Sequence, residues 1–302
     1  MKAVFLGTPE FAKIVLHALI GEGFEIPLVV TQPDRERQQR GRHGSQPSVV
    51  AEYAATEGLR VEKPADGASL LELLRSGDAD VAIVAAYGRI LSKEVLATIH
   101  GRWVDVHASL LPKYRGAAPI QQAILEGDEE TGVTIMEMVE ALDAGDIISQ
   151  ASLPIEPSDT TGSLSLKLAE RGGQELARVL PDYINGAVTT QPQDASVASM
   201  TTQITKASGQ INWTKPAEYL WRLVRAMDPW PGAWSTLDGQ PVVFSEVAPA
   251  APLPDLEPGE FNAEQPFRIA TGAGSLEVLT LTPAGKRSMS GADWLRGRRS
   301  GG

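Results

Sequence analysis

Two polar segments near the middle of the chain carry side chains suited to acyl transfer. Asp105 and His107 end a short alternating run, Trp103–His107, and Asp143 follows in a later glycine-containing segment. Successive strand side chains point to opposite faces, so Asp105 and His107 are expected on the same face of one strand. Carboxylate and imidazole groups that meet at the carboxyl end of a strand can transfer protons and stabilise developing charge. These three residues are the candidate catalytic group, although an isolated histidine in such a turn is more often held by a local carbonyl.

The segments before this run alternate between strand-like and helix-like patterns. The predicted strands are 2–6, 26–30 and 81–86, and the predicted helices are 48–57 and 93–99. Another helix is predicted to begin with Thr8 as its N-cap and Pro9 as its first residue. This alternation predicts an α/β domain with a Rossmann-like, doubly wound sheet. The turn at Gly7 lacks Gly-x-Gly-x-x-Gly, so it does not indicate dinucleotide binding.

The composition changes in the last third of the chain. A helix is predicted over 163–184 and is expected to pack against the sheet. The polar, short-chained stretch that follows is typical of an extended linker. Short alternating runs separated by proline and glycine clusters then predict a small β domain. The predicted organisation is a catalytic domain at 1–186, a linker at 187–205 and a second domain at 206–302. Its tryptophans, including Trp230, are expected in the core or at interfaces, with no role in RNA binding.

The overall composition excludes several kinds of site. The absence of cysteine excludes disulfides, a thiol nucleophile and thiolate metal ligands. The four histidines show no His-x-x-x-His spacing, so we expect no metal. No run approaches the ~18 apolar residues of a membrane span, and Met1–Phe5 begins a strand rather than a signal peptide. We therefore expect a cytoplasmic protein with no membrane partner. Separately, we expect a monomer.

The net charge limits the class of nucleic-acid partner. A formal charge of −11 argues against broad nonspecific binding, because such affinity comes largely from neutralising phosphates. From Lys206 onward, however, ten basic and ten acidic side chains balance. A selective RNA-binding protein with local basic patches is compatible with this distribution.

Nearly the whole chain resembles the folate-dependent formyltransferase family. The matching segments in the first two thirds are Val4–Phe11, Val30–Asp34, Ala86–Leu91, His107–Ile120, Gly132–Met136 and Leu142–Asp146. Those in the last third are Ile211–Trp213, Ala226–Gly232 and Pro283–Arg287. The central segments imply formyl transfer from 10-formyltetrahydrofolate. The later ones are similar to members that formylate initiator methionyl-tRNA for translation initiation. The resemblance also implies an OB-like β-barrel for the second domain.

The resemblance implies a role for each candidate catalytic residue. His107 and the neighbouring strand residue would stabilise the oxyanion, while Asp143 would orient His107 and help to relay protons. A nearby carboxylate favours the imidazolium form of His107, which could donate to that oxyanion. One position departs from the family, whose strand reads Asn-x-His where this chain has Asp105-Val106-His107. An ionised carboxylate cannot donate a hydrogen bond, so we expect an impaired enzyme unless Asp105 holds a proton.

Folate and tRNA contacts are also implied by the resemblance. The expected folate-binding residues are Ala86, Tyr87, Gly88, Ile90, Leu91, Ser109, Leu110, Leu111, Pro112, Leu142 and Asp143. The expected tRNA-binding residues are Arg35, Arg37, Arg40, Arg42, Lys286 and Arg287. From composition alone the arginine-rich segment is an ordinary solvated loop. The resemblance places it at the loop that enters the acceptor stem.

Two alternative functions remain open at this level. The chain could formylate an amino-sugar nucleotide or another small amine, because the central segments are shared across the family. It could instead be a homologue that binds folate or tRNA but has lost efficient catalysis through Asp105. The arginine-rich loop and the basic pair Lys286 and Arg287 favour tRNA.

Overall fold

A computed structural model describes residues 1–39, 42–75, 77–262 and 264–299. Within these ranges the side chains of 35–39, 42–44 and 299 are not described. The chain forms two compact units. The first comprises 1–119, 130–154 and 165–201, and the second comprises 120–129, 155–164 and 202–302.

The first unit is built on a mixed sheet with a parallel centre. Its strands are β1 (Lys2–Gly7), β2 (Glu25–Val30), β3 (Arg35–Gln39), β4 (Arg42–Gln46), β5 (Val61–Glu62), β6 (Val81–Ala85), β7 (Trp103–His107), β8 (Arg115–Gly116), β9 (Glu130–Glu137), β10 (Ile147–Pro154) and β11 (Met200–Thr201). The main sheet has the order β10-β9-β7-β6-β1-β2-β5. Strands β5, β2, β1, β6 and β7 are parallel, whereas β9 is antiparallel to β7. The predicted α/β sheet is confirmed, with an antiparallel edge that the sequence patterns did not indicate.

Helices connect these strands. They are α1 (Glu10–Gly21), α2 (Val49–Thr56), α3 (Gly67–Arg75), α4 (Lys93–Leu96), α5 (Pro119–Glu126) and α6 (Thr161–Ile184). Of these, α5 from residue 120 onward and α6 up to residue 164 belong to the second unit. The predicted cap of α1 is wrong, because Pro9 occupies the N-cap position. The Thr8 hydroxyl instead donates to the carbonyl of Tyr87 at 3.0 Å, so it ties β1 to the chain after β6. Ser48 does cap α2 by accepting from the amide of Ala51 at 3.0 Å.

The long helix α6 packs against the sheet as predicted. Its Leu168, Leu176 and Leu180 are fully buried. At Gly172 an added Cβ would lie 2.8 Å from Cγ1 of Val106 on β7, closer than a real side chain could approach. The glycine thus allows the helix to lie directly on the strand that carries Asp105 and His107, and a larger residue would displace one from the other.

The second unit contains a separate antiparallel sheet. Its strands are β12 (Ala233–Leu237), β13 (Gln240–Ala250), β14 (Arg268–Ala270), β15 (Ser275–Pro283) and β16 (Met289–Ser290), and its further helices are α7 (Ala217–Ala226) and α8 (Gly291–Arg299). The order is β12-β13-β15-β14, with β16 paired to β15. The predicted β domain is thereby confirmed. Trp230 was expected in the core or at an interface; it is 58% exposed in the loop before β12, so it lies outside the core and an interface position stays a prediction.

The predicted linker is docked on the first unit over much of its length. Gln191 exchanges two backbone hydrogen bonds with Ile147, at 2.8 and 2.9 Å. Strand β11 pairs in parallel with β8. The limits 187–205 stay a prediction, but the segment is a strap across the first unit rather than a free connection. Among the described residues, no helix is long and apolar enough to cross a membrane.

Candidate active site

Asp105, His107 and Asp143 lie together at the carboxyl end of β7, an inner strand of the main sheet. Strands β6 and β7 run in parallel with Val84 beside Asp105, so their carboxyl ends open on the same side. The ligand-type atoms of the three side chains all lie within 4.8 Å of one another. This grouping is the one expected from the alternation of β7 and the later position of Asp143.

The two nitrogens of His107 have different partners. Nε2 donates to the carbonyl of Tyr114 at 2.9 Å, and Nδ1 faces Oδ2 of Asp143 at 3.7 Å. Burial lowers the pKa of His107 below its ordinary value, although Asp143 and the Tyr114 carbonyl oppose that shift. The lowered pKa therefore favours a neutral His107 ring instead of the imidazolium expected from the sequence. Desolvation outweighs the neighbouring carboxylate, and the ring keeps its proton on Nε2 and an unprotonated Nδ1.

The pKa of Asp105 shifts in the opposite direction. Burial and the nearby charge of Asp143 raise the pKa of the Asp105 carboxyl well above its usual range, and the backbone amide of Val106 opposes them. A raised pKa favours the protonated acid, which can donate a hydrogen bond as an amide does. Asp105 thus differs from the family's asparagine by a group that donates only while it holds a proton.

Asp143 is held by the segment that follows His107. Its Oδ2 accepts from the amide of Gly116 at 2.6 Å. Gly116 has φ +105, and an added Cβ would lie 2.5 Å from the carbonyl oxygen of Thr201 in the strap. Only glycine fits this position, because both its conformation and the close approach of the strap exclude a side chain. Asp143 itself has φ +49, a region that residues other than glycine occupy rarely.

A hydrogen-bond network around the buried Thr134 supports the turn after β7. Thr134 on β9 donates its hydroxyl to the carbonyl of Ser109 at 2.7 Å and accepts from the amide of Leu111 at 3.0 Å. Gln150 on β10 donates to both the Leu111 carbonyl and the Thr134 hydroxyl, each at 2.9 Å. The sequence analysis did not identify Thr134 or Gln150, since a polar residue in a strand carries no distinctive signal.

The expected folate residues fall into two groups by exposure. Tyr87 and Leu91 belong to the apolar core of the first unit, and Ser109 and Leu111 are also buried. Tyr87 nevertheless also lines an open groove. Folate contact by Tyr87 and Leu91 stays a prediction.

The exposed members of the set are well suited to cover an aromatic ring. Ile90 is 89% exposed and Leu142 is 52% exposed, with Val139 at 45% beside it in the same segment. Exposed large apolar side chains such as these commonly mark a surface that contacts a ligand or a partner, and folate contact by Ile90 and Leu142 stays a prediction. Ala86 and Gly88 line an open groove of about 570 Å³ with Thr8, Gln32 and Arg89. Leu110 and Pro112 are half-buried in the turn after β7.

The expected tRNA-binding residues lie in two places. The backbone of Arg35, Arg37 and Arg42 forms the β3–β4 hairpin, but their side chains, and Arg40 as a whole, lie outside the described residues. Lys286 and Arg287 are exposed in the turn after β15. The structure leaves both assignments as predictions.

The catalytic group is also a donor set that could hold a cation, because it offers one imidazole nitrogen and two carboxylates. No metal is expected from the sequence, since the spacing of these residues matches no metal-binding motif. That expectation stays a prediction.

Comparisons with known proteins agree along the whole chain. The family model for formyl transferases matches residues 1–180, and the model for the formyl transferase C-terminal domain matches residues 203–299. A methionyl-tRNA formyltransferase from Heliobacterium modesticaldum is 42% identical over 313 residues, which cover 100% of this chain and 98% of that relative.

Two solved structures share the fold at low identity. HypX from Aquifex aeolicus in complex with tetrahydrofolic acid has a TM-score of 0.68 at 19% identity, over 100% of this chain and 48% of HypX. An N-formyltransferase from Helicobacter canadensis, in complex with folinic acid and dTDP-3-aminofucose, has a TM-score of 0.68 at 19% identity over 95% of this chain and 100% of its own. The family models and the full-length relative together show that this chain belongs to the formyltransferase family.

Proposed function

We propose that this protein transfers the formyl group of 10-formyltetrahydrofolate to the α-amino group of initiator methionyl-tRNA. The observation that carries the proposal is the grouping of Asp105, His107 and Asp143 within 4.8 Å at the carboxyl end of β7. The 42% sequence identity over the whole chain to a methionyl-tRNA formyltransferase supports the choice of acceptor. The proposal also includes a monomer that acts in the cytoplasm, and its steps use no metal ion.

His107 is suited to accept the proton that the amine must lose. The α-amino group titrates near ~7.7–8.0, so a neutral nucleophile is available at physiological pH. Neutral His107 presents Nδ1 as a base, while the Tyr114 carbonyl holds the proton on Nε2. Once Nδ1 is protonated, the carboxylate of Asp143 at 3.7 Å stabilises the imidazolium and keeps the ring in place. The same proton can then pass to the leaving nitrogen.

Asp105 is suited to stabilise the negative charge that develops on the formyl oxygen. In its protonated form it donates a hydrogen bond, as the family's amide does. In its ionised form it repels that charge. The folate supplies the activated formyl group, and the exposed apolar side chains of Ile90 and Leu142 would cover its ring system.

A direct assay tests the proposal. Labelled formyl transfer from 10-formyltetrahydrofolate should be measured with initiator methionyl-tRNA and with amino-sugar nucleotides as competing acceptors. We expect incorporation into methionyl-tRNA and little into the sugar nucleotides. Preference for a sugar nucleotide, or folate binding without turnover on any acceptor, would contradict the proposal.

Replacing Asp143 by asparagine should lower kcat strongly with little effect on folding. Asparagine can still accept from the Gly116 amide, but it removes the charge that stabilises a protonated His107. We expect kcat to fall by ~10²-fold or more, in the range of general acid–base contributions, with KM for tRNA nearly unchanged. Asp182→Asn, an exposed position on α6, serves as the control for charge removal. A kcat equal to that of the unmodified protein would remove Asp143 from the mechanism.

Neutralising Arg35 and Arg37 together should weaken tRNA binding in a salt-dependent manner. If each arginine binds one phosphate, removing its charge should reduce the slope of log K against log salt by roughly one unit. The measurement is tRNA affinity over a salt series, with Arg75→Gln as a control at an exposed helix end. An unchanged slope would indicate that the hairpin is an ordinary solvated loop.

A further inference from the structure

One glutamine in the strap connects both segments that hold the candidate catalytic group. Oε1 of Gln193 accepts from Nε and Nη2 of Arg115, at 3.0 and 2.7 Å. Its Nε2 donates to the carbonyls of Asp143 and Gly145, at 2.9 and 2.8 Å. The side-chain amide is therefore used in full, with two bonds on its oxygen and two on its nitrogen.

The two segments that Gln193 joins also contact each other at the Asp143 carboxylate. Arg115 immediately precedes Gly116, whose amide donates to Oδ2 of Asp143. Gln193 thus joins the backbone of Asp143 to the residue before the amide that binds the Asp143 side chain. It closes a ring of hydrogen bonds around the carboxylate that faces Nδ1 of His107.

The backbone conformation of Asp143 needs support from hydrogen bonds such as these. Asp143 has φ +49, a conformation that is unfavourable for a residue with a Cβ and that persists only where neighbouring contacts enforce it. Nε2 of Gln193 binds the carbonyls at Asp143 and two residues later, so it clamps the turn at the residue with the unfavourable φ. The strap itself is fixed on both sides of Gln193, by Gln191 on Ile147 and by β11 on β8.

We propose that Gln193 is a positioning residue that holds the Asp143 carboxylate against Nδ1 of His107. The inference deepens the proposed formyl transfer and rests on it, but the link it describes can be measured without turnover. Gln193 touches no reacting atom in this scheme and acts through Asp143. A misplacement of about 1 Å at a catalytic group can lower a rate by ~10²-fold, so a clamp outside the site can have a large effect.

Two substitutions separate positioning from simple space filling. Gln193→Met fills a similar volume without charge and removes all four hydrogen bonds. Gln193→Glu keeps the side-chain shape and the hydrogen bonds to Arg115. It replaces the donating Nε2 by a carboxylate oxygen, which cannot donate to the carbonyls of Asp143 and Gly145. Gln191→Ala is the matched control, because Gln191 lies in the same strap and is held through its backbone, with its side chain exposed.

The first readout is kinetic. We expect kcat to fall by ~10- to 100-fold in both Gln193 variants, with KM for tRNA changed by less than about twofold, because the loss affects the transition state rather than tRNA binding. Gln191→Ala should retain the unmodified rate. A purely structural side chain would be replaced well by the isosteric glutamate, so full activity of Gln193→Glu would overturn the proposal.

The second readout does not depend on activity. The groups that face the His107 ring are Asp105 on its own strand, Asp143 from the clamped turn and the Tyr114 carbonyl. Since Asp143 favours the charged ring, its displacement in Gln193→Met should shift the His107 NMR titration to lower pH. The chain has four histidines, and a His107→Gln spectrum assigns the signal.

The two readouts distinguish the possible failures. An unshifted His107 titration in folded Gln193→Met would overturn the positioning role, whatever the enzyme does. A shifted titration in a protein that transfers no formyl group would leave the positioning role standing and refute the proposed function.

Discussion

Replacing His107 by alanine should lower kcat for formyl transfer by ~10²- to 10⁴-fold, the usual contribution of a positioned acid–base group. The ring is 7% exposed, burial lowers its pKa and so favours the neutral form, and among the described residues no other imidazole lies at this point. The change acts on the proton transfer, and KM for methionyl-tRNA should move little. His17→Ala is the control for loss of an imidazole, since His17 is hydrogen-bonded to the Tyr53 hydroxyl and is not one of the three candidate catalytic residues.

The pH dependence of the unmodified enzyme provides a second check on His107. Burial lowers the pKa of His107, so protonation of the ring should lower the rate only at a pH below the range in which protonation of the amine already forms the acid limb. His107→Ala should lose turnover at every pH rather than shift that limb. Unchanged turnover in this variant, with native thermal unfolding, would contradict the assignment of His107 as the base.

The sequence predicted the parts of the fold that depend on local patterns. The strand at 103–107 and the central strand at 81–85 are confirmed because β-branched runs bounded by turns have few other stable conformations. The same alternation placed Asp105 and His107 on one face. The cap predicted at Thr8 is wrong because its hydroxyl has two possible partners, the start of a helix and a distant carbonyl, and local sequence cannot decide between them.

The sequence could not predict contacts that depend on the meeting of distant segments. Gln193 lies in a polar, short-chained stretch that predicts only a linker, and it makes contacts more than forty residues away on one side and more than seventy on the other. The charge state of His107 also differs from the expected one, because a neighbouring carboxylate is visible in the family pattern but burial is not. The high exposure of Ile90 likewise follows from tertiary structure alone.

Asp105→Asn should raise kcat, and the gain should grow with pH. Burial and Asp143 raise the pKa of Asp105, so the acid form, which donates to the formyl oxygen, is favoured toward low pH. As pH rises through that pKa the carboxylate replaces the donor and repels the developing charge. An asparagine donates at every pH. Loss of one such donor costs about 2.7–4 kcal/mol, or ~10²- to 10³-fold in rate, which bounds the gain where Asp105 is fully ionised.

The unmodified enzyme should therefore show activity that improves toward acid until the amine becomes protonated. The Asn variant should lose the alkaline decline and keep the acid limb. The measurement is kcat for both proteins across pH 6 to 8, roughly the window between the reference values of histidine and the α-amino group. An exposed Asp182→Asn variant controls for the change in net charge.

Stability should depend on Asp105 in the same sense as activity. The carboxyl of Asp105 has a higher pKa in the folded protein than in the unfolded chain, so its proton stabilises the fold. That contribution is complete below the unfolded value and is lost as pH rises through the folded one. Since asparagine does not titrate, the Tm of Asp105→Asn should exceed that of the unmodified protein by a margin that widens with pH. A rate that is unchanged or lower in Asp105→Asn over this window, with the Tm difference constant, would mean that Asp105 has a role other than a conditional donor.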